Sequence, residues 1–113
     1  MSALLQKLLR ARETQIPVGE YVFTIRRPTP LEHEEKLSKG NSAARGILSF
    51  VVGLENVTSA DIIPGGDPHP LAFEAAVCAE WLSDRPDLFA PIAEAIVQAY
   101  RAHILALEDS LKN

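Results

Sequence analysis

Residues 50–81, FVVGLENVTSADIIPGGDPHPLAFEAAVCAEW, constrain this chain more than any other stretch. An apolar run, a loop stiffened by prolines and glycines, and a second apolar run succeed one another without flexible filler. The first run, with Ala43-Ala44 upstream and Ile47, Leu48, Phe50, Val51 and Val52 at its end, reads as a helix over 43–52 that is apolar on most sides. Such a helix is buried on most sides and forms the expected centre of the core. Gly53 is then placed as the left-handed residue that ends it. Beyond it, Val57, Ile62 and Ile63 are expected to plug into the core. Thr58 or Ser59 caps a short turn ending near Asp61, and Pro64-Gly65-Gly66-Asp67 supplies a turn. Pro68 and Pro70 keep the next residues extended, so that Phe73 anchors the return into a helix over 73–82 with Val77 and Trp81 on its packing side and Cys78 beside them.

The segments on either side carry their own local signals. Leu4, Leu5, Leu8 and Leu9 recur at helical spacing with Lys7, Arg10 and Arg12 opposite, which predicts a short amphipathic docking helix. Gly19-Glu20 separates two extended runs and suits a type II′ hairpin turn. The second run alternates Tyr21, Phe23 and Ile25 with Val22, Thr24 and Arg26, the strongest strand pattern in the chain. A lone hairpin is marginal in water, so its apolar face has to pack on helices or pair with another chain. Thr29-Pro30-Leu31-Glu32 reads as an N-cap, a first-turn proline and a capping-box glutamate, and Gly40-Asn41-Ser42 breaks or caps the helix that follows. The last helix is expected over 91–111, with Pro91 either starting it or kinking one begun at Pro86. It carries Ile92, Ile96, Ala99, His103 and Leu107 on one stripe and Val97, Tyr100, Ile104 and Leu111 on the next. Two stripes exceed what one packing face needs, and the surplus suits an oligomer or a partner. The fold class predicted is mainly α within α+β: four to five helices packed with a small N-terminal β-hairpin, in one domain over 1–113. The helix and hairpin occupy 1–28 and the helical core 29–113.

Charge and composition then narrow the function classes. The net charge of −4 is uneven: residues 1–56 hold eight basic and six acidic side chains, a net +2, and residues 57–113 hold three and nine, a net −6. An acidic half without a basic face argues against nucleic-acid binding. The single cysteine, Cys78, forms no intrachain disulfide and no cysteine-based zinc site. With no secretory signal pattern, it points to a reducing cytoplasm. No apolar run approaches the roughly 18 residues of a membrane span.

Chemistry-bearing residues have ordinary explanations. Glu32, Glu34 and Glu35 sit in a first helical turn, where acids oppose the helix dipole, and His33 points to another side. Asp61, Asp67 and His69 form the one set that could hold a metal, but Asp beside Gly and Pro makes turns and no second histidine lies at ligand spacing. Gly65-Gly66 does not match a phosphate loop. Cys78 lies among small apolar neighbours without a histidine to activate it. His103 reads as a partly buried helix residue. The expectation is no catalytic residue, no cofactor and no metal, hence a binding protein and not an enzyme.

Phe50-Val51-Val52-Gly53-Leu54-Glu55-Asn56-Val57, the Pro64-Gly65-Gly66-Asp67 loop with Pro70 and Phe73, and Trp81-Leu82 with Asp84-Arg85-Pro86-Asp87-Leu88 resemble the tail assembly chaperones of long-tailed bacteriophages and prophages. The strand, Arg26-Arg27-Pro28-Thr29 and acidic helix before them also fit, so the resemblance spans residues 21–100, about 70% of the chain. One departure is Leu54, where many such proteins carry tryptophan; leucine keeps the apolar role and removes the indole donor. The resemblance implies a non-enzymatic assembly factor of the bacterial host cytoplasm, often made in two lengths by ribosomal frameshifting. It implies binding to the tape-measure protein, recruitment of tail-tube protein, and absence from the mature virion. A head–tail connector or tail-terminator-type virion protein is the alternative. The residues expected to meet a partner are Leu54, Trp81, Leu88, Phe89, Val97, Tyr100 and Ile104, and the chain is a candidate homo-oligomer.

Overall fold

The computed structural model describes residues 2–38 and 43–112. The expected break at Gly40-Asn41-Ser42 lies outside them. Six helices and a three-stranded antiparallel sheet make up the described chain, an α+β fold. In chain order these are α1 (Ala3–Arg10), β1 (Glu13–Val18), β2 (Tyr21–Arg26), α2 (Pro30–Lys36), α3 (Ala43–Leu48), β3 (Val51–Glu55), α4 (Ser59–Ile62), α5 (Ala75–Ser83) and α6 (Pro86–Lys112).

Local chemistry sets the hairpin and the helix starts. β1 and β2 pair from Glu13↔Arg26 to Val18↔Tyr21, and Gly19 turns between them at φ 60° while Glu20 keeps a negative φ. Only the first central residue therefore needs the left-handed region, as a type II′ turn requires. Thr29 accepts from the Glu32 backbone N–H at 3.1 Å, and Glu32 returns the bond to the Thr29 N–H at 3.0 Å. That reciprocal box, with Pro30 at the first turn, starts α2. Arg26 reaches the same Glu32 at 3.7 Å.

The expected helix over 43–52 is a correction. α3 ends at Leu48, a turn at Ser49-Phe50 follows, and Val51–Glu55 becomes the third strand of the sheet. β3 pairs with β2 through Val22↔Glu55, Phe23↔Leu54 and Thr24↔Gly53, and the Arg26 N–H donates to the Phe50 carbonyl at 2.8 Å. Gly53 thus sits inside a strand, not at a helix end. A Cβ there would lie 3.1 Å from both Cβ and Oγ1 of Thr24, so the glycine answers a close cross-strand approach. The left-handed residue is instead Asn56, at φ 65°, which turns β3 toward Val57.

The core forms between the sheet and the helices. Phe23 and Ile25 of β2, Phe50, Val51 and Val57, Cys78, Trp81 and Leu82 of α5, and Leu88, Ile92 and Ile96 of α6 are all buried with Ile47 and Leu48 of α3. Trp81 meets Tyr21 edge-on at 5.3 Å between ring centroids and Phe23 at 6.2 Å, which fixes α5 against β2. Three expectations fail here. Val77 is 40% exposed, because the packing side of α5 runs through Cys78, Trp81 and Leu82. Ile63 is 60% exposed, whereas Val57 and the half-buried Ile62 do turn inward. The leucines of α1 bury nothing completely; Leu4, Leu5 and Leu8 face outward.

α6 begins at Pro86, so Pro91 lies in its second turn, and the helix runs on for 27 residues. Its first half is in the core; its last turns extend past it, and Leu105, Leu107 and Leu111 are exposed. The Cα radius of gyration is 15.5 Å, against roughly 13 Å for a compact chain of this length, which fits that projection.

Candidate partner-binding groove

α6 is positioned from its first turn. The Arg85 guanidinium grips the Asp87 carboxylate with bonds of 3.0 and 2.9 Å, which holds the Asp87 carboxyl below the usual range. The Arg85 carbonyl accepts from Leu88 and Phe89. From there the i, i+4 row Leu88, Ile92, Ile96 turns into the core. The adjacent row of Phe89, Ala93, Val97, Tyr100 and Ile104 comes to lie half-buried along the rim of the fold.

Opposite that row stand α2 and α3. Gly46 lets them meet: a Cβ on Gly46 would strike the backbone carbonyl of Lys36, so only glycine permits this crossing. The neighbouring Ala43 and Ala44 line the space between α3 and α6 with methyl groups only. The space left is a groove of about 550 Å³ with Leu37, Ala44 and Ile47 on one wall and Phe89, Ala93 and Val97 on the other. Glu94, Gln98 and Arg101 sit on its polar edge. Past Ala44 and Phe89 it meets a second hollow of about 170 Å³ against Leu48, Leu82 and Pro86. Past Arg101 lies a third, of about 270 Å³, against Tyr100, Ile104 and Leu105. From Pro86 to Ile104 the line follows 18 helical steps, roughly 27 Å at 1.5 Å each. His33 lines the main groove and stacks on Tyr100, which lines the third hollow.

Of the seven residues expected to meet a partner, the fold brings four into this line: Phe89 and Val97 in the main groove, Tyr100 and Ile104 in its extension. Trp81 and Leu88 are parts of the core, 7% and 5% exposed, and line none of the three hollows. Leu54 is half-buried on β3 opposite Phe23 and lines none of the three hollows. The α2–α3 wall was not anticipated. Its only sequence signal is the Ala43-Ala44 pair beside Gly46, three small residues within one turn of a helix.

The joint over 50–81 is tied together by side-chain hydrogen bonds. Thr58 and Asp61 form a reciprocal capping box, and Tyr21 Oη donates to Asp61 Oδ1 at 3.1 Å. The Thr58 backbone bond, then its side chain, pull the Asp61 carboxyl below its ordinary value; burial and Asp61 together push the Tyr21 phenol up. Asp67 accepts the His69 backbone N–H at 2.8 Å, and its carboxylate also contacts the His69 ring. Among the described residues no group of three or more His, Cys, Asp or Glu converges on a point that could hold a metal ion. Cys78 is 2% exposed, and burial pushes its thiol up to about 11, far from a nucleophile's range. His103 is held below its ordinary value by partial burial and by the Arg27 and Arg12 guanidiniums.

No helix among the described residues is long and apolar enough to cross a membrane. Comparison of the chain with known protein families, with curated proteins and with solved structures finds no match.

Proposed function

We propose that this chain is a non-enzymatic tail assembly chaperone of a long-tailed bacteriophage or prophage, working in the cytoplasm of the bacterial host. In this reading it holds amphipathic helical segments of the tape-measure protein and helps recruit tail-tube protein.

The observation that carries the reading is the apolar groove between α3 and α6 and its extension along Tyr100 and Ile104. A partner helix lays residues at i, i+3, i+4 and i+7 into such a groove, and roughly 27 Å accommodates five turns of it. The mixed rim of Glu94, Gln98 and Arg101 suits a partner whose flanks carry both charge signs. The resemblance of residues 21–100 to these chaperones, carried by the joint and by Trp81-Leu82 through Leu88, points the same way.

Coexpression with the tape-measure protein of the same phage tests the proposal. The chaperone raises that protein's solubility, copurifies with it, and is absent from purified particles by mass spectrometry. Unchanged solubility without copurification contradicts it, and a stoichiometric place in the particle would instead mark a connector or terminator.

A further inference from the structure

The projecting end of α6 carries an apolar stripe that is half-buried where it leaves the fold, with His33 stacked on Tyr100, and open toward its outer end at Leu107 and Leu111. Tyr100, Ile104, Leu107 and Leu111 follow one another at steps of four, three and four, and Val97 precedes them by three. That is a heptad seam with Val97, Ile104 and Leu111 at a and Tyr100 and Leu107 at d. It is not the core stripe, which turns away through Ile92 and Ile96. Leu107 is 41% and Leu111 85% exposed, and Ile104 and Tyr100 are half-buried.

The charges beside the seam specify its occupant. At the two e positions stand Arg101 and Glu108, seven residues apart and opposite in sign; both are exposed, and neither is in an ion pair within the described residues. In an antiparallel pair of helices e faces e, so a two-fold copy of α6 brings Arg101 to Glu108 of the second copy and Glu108 to Arg101 of the second copy. The same alignment sets Ile104 on Leu107 of the second copy and Tyr100 on Leu111 of the second copy. A parallel alignment leaves Arg101 facing Ile96, with no charge to meet.

From this agreement of seam and charge we infer that the chain forms a homodimer through antiparallel pairing of the last turns of α6. The pairing shares Tyr100, Arg101 and Ile104 with the extension of the groove, so α6 of a second copy and a partner helix compete there, while Leu107, Leu111 and Glu108 serve the pairing alone.

Sedimentation of the full chain tests this. The wild-type protein sediments as a dimer of the 12.3 kDa chain. Leu107→Glu makes it monomeric with an unchanged circular dichroism spectrum, and Leu111→Glu, at a more exposed position, does the same if Leu107→Glu unfolds. Arg101→Glu and Glu108→Arg each turn two opposite-charge contacts into two like-charge ones and weaken association about tenfold. An equimolar mixture of those two variants regains wild-type association, because each complements the other only in the antiparallel register. A monomeric wild type, single variants as tight as wild type, or a mixture no tighter than its components overturns the inference.

Discussion

The imidazole of His33 lies flat on the phenol ring of Tyr100, with ring centroids 4.3 Å apart and planes 4° from parallel. The first belongs to α2 and the second to α6, so this stack is a direct contact between the two helices. A histidine among glutamates in a first turn invites an acid–base reading; its ring instead packs on an aromatic face.

Replacing His33 with alanine removes that stack and costs about 1 kcal/mol of stability, the usual worth of an aromatic pair beyond its buried area. Urea denaturation measures it as a lower midpoint at unchanged slope, and amide exchange in α2 accelerates. A midpoint equal to wild type contradicts the role given to the stack.

Gly46 and Gly53 differ in what they tolerate. A methyl on Gly46 meets the Lys36 backbone carbonyl, which cannot move without shifting α2, so Gly46→Ala costs about 1–3 kcal/mol. On Gly53 it meets only the Thr24 side chain at 3.1 Å, and Gly53→Ala costs less than about 1 kcal/mol. Paired urea curves rank the two; equal effects would mean that the α2–α3 crossing is not set by Gly46.

These two glycines also show what was legible from the residues. The capping box at Thr29–Glu32 and the Gly19 turn are local hydrogen-bond chemistry and stand as read; of the two caps left open at Thr58 or Ser59 the fold uses Thr58, and the reciprocal bond from Asp61 was not read. The run Phe50-Val51-Val52-Gly53-Leu54 is apolar on every face, and such a run has no period with which to separate a buried helix from a buried strand. Pairing with β2 decides it, and that contact lies about thirty residues away in sequence. Four of the seven expected contact residues line the groove because a second apolar stripe on a long helix is visible in sequence. The opposing wall of Leu37, Ala44 and Ile47 exists only once α2 and α3 are packed, so no periodicity announces it.

The cap of α4 ties the joint to acid stability. Thr58→Ala removes a side-chain acceptor at a helix N-terminus and costs about 1 kcal/mol. Asp61 has a folded carboxyl value below its unfolded one, so its contribution is complete above the unfolded value near 4 and is lost as pH falls through the folded value. Asp61→Asn therefore destabilises the protein at neutral pH and flattens the stability profile below about pH 4. Asp67 and Asp87, whose carboxyls are also held low, keep the rest of that slope. A variant with the wild-type slope contradicts this assignment.

Cys78 is predicted to be inert in the folded protein. With its thiol pushed up to about 11 and its surface buried, almost no thiolate is available at pH 8. A disulfide exchange reagent reacts with one equivalent of thiol in denaturant and with none in native buffer over the same interval. Prompt reaction in native buffer would mean that α5 opens readily from the core.

The account rests above all on what enters the groove between α3 and α6. A photo-crosslinking phenylalanine derivative placed at Gln98, exposed on the groove edge, reports that contact directly in cells coexpressing the tape-measure protein. The same group at His69, on the exposed loop outside the groove, serves as the reference position. The account predicts an adduct of the two proteins from Gln98 and none from His69; no adduct at Gln98, or equal adducts from both positions, contradicts it.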